Sequence, residues 1–164
     1  MKICVIGTGY VGLVAGTCFA DVGNTVICTD IDREKIEKLK KGIIPIFEPG
    51  LEELIKLNTK ENRLMFTTDI KFAVQSSDVC FIAVGTPQNK DGTCNTSYLY
   101  SAAEQIAKHI NKYKIIVNKS TVPPGSAEKI IEVIKQHTTF DFDVVSNPEF
   151  LKQGTAVDNF LSPD

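Results

Sequence analysis

Three glycines near the amino terminus have the spacing of a loop that binds a pyrophosphate. They stand at positions 7, 9 and 12 of the segment GTGYVG, after a short apolar run and before an apolar stretch of helix length. In a GxGxxG loop the first glycine permits a tight turn, the second lets backbone amides approach the pyrophosphate, and the third lets helix and strand pack closely. The pattern predicts a dinucleotide site at a helix N-terminus that includes Gly7, Gly9 and Gly12.

An acidic residue stands where such a loop needs one for the ribose. Asp30 ends the predicted second strand, 18 positions after Gly12. Its carboxylate would accept hydrogen bonds from both ribose hydroxyls and repel a 2′-phosphate, which favours NAD over NADP, although Arg33 and Lys35 follow closely. Two alternatives stay open: Asp30 and Asp32 could simply cap the next helix, and FAD is bound by the same fingerprint.

Two hydroxyls precede a rigid turn in the segment KSTVPPGS. Ser120 and Thr121 follow the apolar run at 115–117 and stand just before the Pro-Pro-Gly sequence at 123–125. Because proline fixes its own φ and restricts the residue before it, this turn should hold both hydroxyls in the cofactor crevice. The more ordinary role of Ser126 is to cap the following helix.

Two further polar segments follow predicted strands. GTP at 85–87 comes after the fourth strand, and NPEF at 147–150 comes after the sixth. Ligands of doubly wound sheets bind outside the carboxyl ends of the strands, so both segments should lie beside the glycine loop. Glu149 could transfer protons there, although by its position alone it could equally be the acidic residue that begins a helix.

Short apolar runs alternate with longer amphipathic segments along the whole chain. The predicted strands cover 2–7, 25–30, 63–69, 78–85, 114–120 and 142–148, and the predicted helices cover 11–23, 32–42, 51–57, 70–77, 97–110 and 126–137. This alternation predicts an α/β domain with a doubly wound parallel sheet, a Rossmann-type dinucleotide-binding fold, over residues 1–164.

The composition limits the choice of partners. Twenty acidic and 18 basic residues among 164 give a net charge of -2 with no block of like charge, so nucleic acid is not expected as a partner. The longest apolar stretch is interrupted by Gly12, Gly16 and Asp21, and the first residues do not resemble a signal peptide, so no membrane association is expected and the protein is predicted to be cytoplasmic. The five cysteines have no metal-binding spacing, and no metal is predicted.

Taken together, the motifs resemble one known family. GTGYVGL, DID, FEPGL, VGTP, KSTVPPG and NPEFL, in this order and spacing, are similar to those of the amino-terminal domain of the nucleotide-sugar 6-dehydrogenases, the UDP-glucose/GDP-mannose dehydrogenase family. STVPPG favours the UDP-glucose branch. The resemblance implies an enzyme with NAD as cofactor that oxidises the alcohol at sugar C6 to a carboxylate in two steps, through a thioester on a cysteine.

The resemblance also implies roles for individual residues. The residues expected to bind NAD are Gly7, Gly9, Tyr10, Val11, Gly12, Asp30, Lys35, Gly85, Thr86, Thr121 and Gln153. Glu149 would be the acid/base group, with Thr121 holding the hydrolytic water. Phe150 and Leu151 would contact the sugar nucleotide together with Glu149, chiefly through backbone atoms. Many members of the family carry glutamate at the position of Gln153, where an amide can still bind the nicotinamide carboxamide.

The same resemblance defines what the chain alone is expected to do. Residues 1–164 would be the NAD-binding domain, without the family's central helix and its carboxyl-terminal UDP-sugar-binding domain, which carries the cysteine. Such a chain should oxidise no UDP-glucose by itself, and a homo-oligomer is expected only of the full-length protein. The alternatives are a dehydrogenase of GDP-mannose, of UDP-N-acetylmannosamine or of a small β-hydroxy acid, and a non-catalytic dinucleotide-binding module.

Overall fold

A computed structural model describes residues 1–162 of the chain, in which strands and helices alternate. The strands are β1 (Lys2–Ile6), β2 (Thr25–Thr29), β3 (Leu64–Thr67), β4 (Val79–Ile82), β5 (Lys114–Asn118) and β6 (Phe142–Ser146). The helices are α1 (Tyr10–Asp21), α2 (Arg33–Lys40), α3 (Leu51–Lys60), α4 (Ile70–Gln75), α5 (Ser97–His109), α6 (Ser126–Lys135) and α7 (Ala156–Leu161).

The strands form one parallel sheet in the order β3-β2-β1-β4-β5-β6. From β1 the chain moves outward to β3, and from β4 it moves outward to β6 on the other side. The direction therefore reverses between β1 and β4, which opens a crevice at the carboxyl ends of these two strands. The predicted doubly wound parallel sheet is confirmed.

Each predicted strand and helix is present with slightly shifted ends, but the short helix α7 was not predicted. It has six residues, too few for a helical period to stand out in the sequence. Its stability comes from packing, since Ala156 and Val157 are buried in the core beside α1. Tertiary contacts, and not local propensity, therefore determine this helix.

Hydrophobic side chains fill both faces of the sheet. On one face α1, α2, α3 and α7 enclose residues such as Val5, Leu13 and Ile55, and on the other α4, α5 and α6 enclose residues such as Ile82 and Ile106. Burial of each such side chain contributes about 1.5–3 kcal/mol. Helix α1 also contacts α3 and α7, and most of its residues are buried. The core thus fixes the helix that follows the glycine loop.

Two further properties concern cysteines and membranes. All five cysteines are free thiols, and four of them are buried. Within residues 1–162, no helix has both the length and the apolar character needed to cross a lipid bilayer.

Candidate functional site

The glycine loop lies between β1 and α1, against the end of β4. Gly7 has φ +100° and its amide donates a hydrogen bond to the carbonyl oxygen of Thr29 at 2.8 Å. A Cβ on Gly7 would lie 2.5 Å from the carbonyl oxygen of Ala83, and a Cβ on Gly12 would lie 2.0 Å from the carbonyl oxygen of Gly7. The turn and packing roles predicted for these two glycines are therefore confirmed.

Gly9 differs from the other two glycines of the loop. Its φ of -70° and ψ of -172° are extended backbone, and a Cβ added to it would meet no atom of residues 1–162 within 4 Å. Gly9 is the N-cap of α1 and supplies no side-chain cap to the helix amides. The first amides of α1 are thus available to an anion, and in the part of the chain that the structure describes no contact explains the glycine at position 9.

Two cavities meet at the crevice, one on each side of the glycine loop. The central cavity has a volume of about 220 Å³ and the side cavity about 300 Å³. The central cavity is lined by Gly9, Tyr10, Val11, Ala83, Val84, Gly85, Thr86, Lys119, Ser120, Thr121 and Glu149. The side cavity is lined by Ile6, Gly7, Gly9, Asp30, Ile31, Lys35, Ile70, Ala83, Val84, Gly85, Tyr98, Ser101, Ala102 and Gln105. Because both include Gly9 and the residues after β4, they form one cleft with two halves.

Asp30 lies at the end of β2 and is held by the glycine loop. Its Oδ2 accepts hydrogen bonds from the Thr8 amide at 2.8 Å, the Thr8 hydroxyl at 2.7 Å and the Lys35 ammonium at 3.1 Å. Its Oδ1 accepts the Asp32 amide at 3.0 Å. Asp32 caps α2 by accepting the Lys35 amide. The helix-cap alternative therefore holds for Asp32, whereas Asp30 lines the side cavity.

The hydrogen bonds at Asp30 also set its charge. Burial taken alone raises the pKa of this carboxyl, but the bonds from Asp32, Thr8 and Lys35 outweigh burial and hold the pKa below its ordinary value. The carboxylate consequently stays ionised at neutral and moderately acidic pH.

The hydroxyls that follow β5 have different roles. Ser120 lines the central cavity, and its Oγ donates to the carbonyl oxygen of Val84 at 2.7 Å, so this hydroxyl also joins the ends of β4 and β5. Thr121 is exposed and lines the central cavity, and its carbonyl oxygen accepts the Thr86 hydroxyl at 2.8 Å. The two strand ends are therefore linked by two side chains.

The predicted capping role of Ser126 is wrong. The N-cap of α6 is Gly125, whose φ of +82° is in the left-handed region. Ser126 is the first helical residue, and its hydroxyl donates to the carbonyl oxygen of Pro123 at 2.7 Å. The backbone amide of Ser126 donates to the same carbonyl oxygen at 3.3 Å and closes the turn.

Glu149 lines the central cavity together with Gly9, Thr86 and Thr121. Its Oε2 accepts the Leu151 amide at 3.1 Å, which orients the carboxylate locally. The fold therefore brings the candidate acid/base group to the same cavity as the glycine loop, from a segment more than a hundred residues away in sequence.

Lys119 was missed by the sequence analysis. The residue is 1% exposed, and its Nζ donates to Oδ1 of Asn147 at 3.2 Å and lies 5.2 Å from the ring centre of Phe150. Burial lowers the pKa of the ammonium, and the charge of Glu149 opposes that effect. A lysine at a strand end ordinarily reaches solvent, so the sequence holds no signal for this buried cation.

Four of the predicted residues lie outside both halves of the cleft. Phe150 is 59% exposed and lines a third cavity beside Lys119 and Phe160. Leu151 is buried in the core, so that only its backbone could reach a ligand, and Gln153 is exposed. Gly12 packs against the glycine loop and does not line the cleft. The other predicted residues lie at one or both cavities.

The cleft suits a dinucleotide by its shape and its groups. Its two halves flank the available amides of α1, the open position at Gly9 leaves room for a diphosphate, and Asp30 offers a carboxylate beside one half. Within residues 1–162, no group of three or more His, Cys, Asp and Glu side chains could hold a metal ion. The arrangement can bind a dinucleotide whose one half lies in the central cavity, beside the carboxylate of Glu149 and the hydroxyl of Thr121.

Comparison with known proteins decides the family. The model of the UDP-glucose/GDP-mannose dehydrogenase family, NAD binding domain, matches residues 1–164. The chain belongs to this family. It is 52% identical to the UDP-glucose 6-dehydrogenase TuaD of Bacillus subtilis over 98% of its length, and 52% identical to a UDP-glucose 6-dehydrogenase of Rhizobium meliloti over 100%. It spans only 35% and 38% of these two relatives.

Solved structures of the dehydrogenase family have the same fold. A UDP-glucose dehydrogenase from Pyrobaculum islandicum matches with a TM-score of 0.96 and 37% identity, over 99% of this chain and 39% of that one. A GDP-mannose dehydrogenase from Pseudomonas aeruginosa matches with a TM-score of 0.95 and also 37% identity, over the same shares. The fold therefore identifies the NAD-binding domain of the family without distinguishing between its sugars.

The glycine loop allows a test with two matched substitutions. Gly12→Ala should lower the free energy of unfolding by about 3 kcal/mol, because its Cβ would overlap a carbonyl oxygen. Gly9→Ala should change it by less than about 1 kcal/mol. Yet Gly9→Ala should weaken NAD binding about tenfold or more, because the new methyl group would occupy the pyrophosphate position. Urea unfolding and calorimetric titration measure the two effects. Equal losses of stability, or unchanged NAD binding by Gly9→Ala, would contradict these roles.

The hydrogen bonds at Asp30 predict a pH dependence of stability. A carboxyl whose pKa is lower in the folded state stabilises the protein above its unfolded pKa, and that contribution is lost as the pH falls through the folded pKa. The difference in unfolding free energy between the wild type and Asp30→Asn should therefore be constant from about pH 8 to 5 and decrease below about pH 4. Urea unfolding across this range measures it. A difference that grows on acidification would contradict the direction of the pKa shift.

Proposed function

We propose that this chain is the NAD-binding part of an enzyme that oxidises UDP-glucose to UDP-glucuronate with two NAD. The observation that carries the proposal is the central cavity, where Glu149 and Thr121 meet the glycine loop. The names of the relatives at 52% identity support UDP-glucose as the substrate. GDP-mannose and UDP-N-acetylmannosamine remain alternatives, since dehydrogenases with these substrates in their names share the fold at 37% and 32% identity.

The proposed orientation of NAD follows from the position of Asp30. Because Asp30 and Lys35 line the side cavity, the adenosine ribose would lie there, with the diphosphate at the α1 amides beside Gly9, Tyr10 and Val11. The nicotinamide half would then occupy the central cavity, beside Gly85, Thr86 and Thr121. Gly7 and Gly12 would act through the shape of the loop. NAD, when bound, supplies the acceptor for the hydride from sugar C6.

The residues of the central cavity would handle protons and water. Glu149 would act as the acid/base group, since its carboxylate is oriented by the Leu151 amide and lines the cavity. Thr121 would hold the water used in hydrolysis. Phe150 and Leu151 would contact the sugar nucleotide through their backbones, and Gln153 would approach the nicotinamide carboxamide.

The setting of the protein is part of the same proposal. Five free thiols suit the reducing cytoplasm, which also supplies NAD. A homo-oligomer is proposed only for a protein of the relatives' full length.

Calorimetric titration of the chain with NAD is the direct test of the cofactor proposal. We expect NAD to bind, NADP to bind more weakly because Asp30 repels a 2′-phosphate, and Asp30→Ala to weaken NAD binding about tenfold or more. A matched control is Asp143→Ala, which removes a carboxylate at β6, away from the cleft. No NAD binding at millimolar concentration, or tighter binding of FAD, would overturn the proposal.

The catalytic proposal can be tested in a chimera. Residues 1–164 would replace the matching part of the Bacillus subtilis relative, and NADH formation from UDP-glucose would be followed at 340 nm. We expect the chimera to be active, and Glu149→Gln to lower kcat by about 10²-fold or more, as the loss of an acid/base group does. The chain without the added part should form no NADH.

Controls separate folding from chemistry in this assay. Each chimera variant should still bind NAD, so that lost turnover cannot be ascribed to a lost cofactor. Full activity of Glu149→Gln would refute the acid/base role, and UDP-glucose oxidation by the chain alone would refute the proposed dependence on the remainder of the enzyme.

A further inference from the structure

Glu48 is a buried carboxylate in the loop between α2 and α3, and it lines neither half of the cleft. Glu48 is 4% exposed. Within residues 1–162, no lysine, arginine or histidine nitrogen lies within 4.0 Å of its oxygens. Burying a carboxylate without a cationic partner costs free energy unless hydrogen bonds satisfy its oxygens. The hydrogen-bond donors around Glu48 therefore make its burial possible.

Those donors come from two distant segments of the chain. Oε2 of Glu48 accepts the hydroxyl of Tyr10 at 2.6 Å and the amide of Gly154 at 2.8 Å. Oε1 accepts the amide of Ala156 at 2.7 Å. Tyr10 is 38 positions before Glu48, and the other two donors are 106 and 108 positions after it. One carboxylate thus joins the first turn of α1 to the segment that ends in α7.

Both segments carry walls of the central cavity. Tyr10 lines the cavity next to Gly9. Glu149 lines it from the other segment, a few residues before Gly154 and Ala156. Burial, and then the bond to Glu48, raises the pKa of Tyr10 to about 12. At neutral pH the phenol is therefore a hydrogen-bond donor and not a base, and it serves as an attachment point.

We infer that Glu48 is a positioning residue, which sets the distance between the pyrophosphate loop at Tyr10 and the segment 149–154 across the central cavity. The inference rests on the proposed function, because the cavity it serves is the proposed nicotinamide site. Without this link the two walls would sample wider separations, and the fraction of molecules ready to bind NAD would fall.

The test compares this link with a similar one elsewhere in the molecule. The hydroxyl of Tyr113 donates to Asp143 at 2.6 Å, the same distance as in the Tyr10–Glu48 pair, but it lies at the opposite end of the sheet, where β5 begins. The variants are Tyr10→Phe, Glu48→Gln and their combination, with Tyr113→Phe and Asp143→Asn as controls. NAD dissociation constants are measured by calorimetry at a temperature where circular dichroism shows each variant folded.

We expect Tyr10→Phe and Glu48→Gln each to weaken NAD binding about tenfold, the equivalent of one charge-assisted hydrogen bond, and the controls to leave it within about twofold. The double variant should bind no more weakly than Glu48→Gln alone, because both changes remove one link. Unchanged NAD affinity in folded Tyr10→Phe and Glu48→Gln would overturn the inference and assign Glu48 a purely structural role.

Hydrogen exchange gives a second readout that does not depend on NAD. In Tyr10→Phe, the amides of 149–157 should exchange faster than in the wild type, although the substitution is more than a hundred residues away. Unchanged exchange there would also overturn the inference. If the wild type binds no NAD, the proposed function fails, and this exchange measurement alone decides whether Glu48 couples the two walls.

Discussion

The close contact between α1 and the glycine loop is the constraint on which the cleft depends. A Cβ at Gly12 would lie 2.0 Å from the carbonyl oxygen of Gly7, so the helix begins directly against the turn that ends β1. The core then holds α1 from its other sides through α3 and α7. Because the helix cannot shift, its first amides face a fixed point in the crevice, and the loop divides the cleft into two halves. An anion bound there meets donors that need no rearrangement.

The opposite wall is made rigid by polar side chains. Ser120 joins the end of β5 to Val84, and Thr86 reaches back to the carbonyl oxygen of Thr121. Both bonds tie residues that follow neighbouring strands, where the backbone ladder has ended. The side chains therefore continue the link between strands beyond the sheet itself. A wall that is held in this way presents Thr121 at a constant position in the central cavity.

The parts of this structure that could be predicted are those encoded locally. Gly12 packs against Gly7, five positions before it, and the strand runs are apparent from adjacent residues. The parallel sheet follows from the alternation of these runs with helices. Helix α7, Glu48 and Lys119 could not be predicted, because their positions depend on contacts with segments far away in sequence. Ser120 illustrates the same limit within the site. The turn after it was predictable, but its hydroxyl donates to the carbonyl oxygen of Val84, which follows β4 and is 36 positions away in sequence. Local patterns therefore locate the cleft, whereas long-range contacts decide which groups face it.

Asp30 shows how such contacts prepare a site for its ligand. In the protein by itself, three donors already share its Oδ2, and two of them belong to Thr8 in the glycine loop. In the proposed complex a ribose hydroxyl must replace or join one of these donors. The Thr8 amide is fixed by the loop, whereas Lys35 Nζ ends a flexible side chain that is partly exposed, so the ammonium can move away at the least cost. Lys35 would then be free to face the cofactor itself. The carboxylate keeps its charge and orientation during this exchange, because the backbone amides of Thr8 and Asp32 hold one oxygen each.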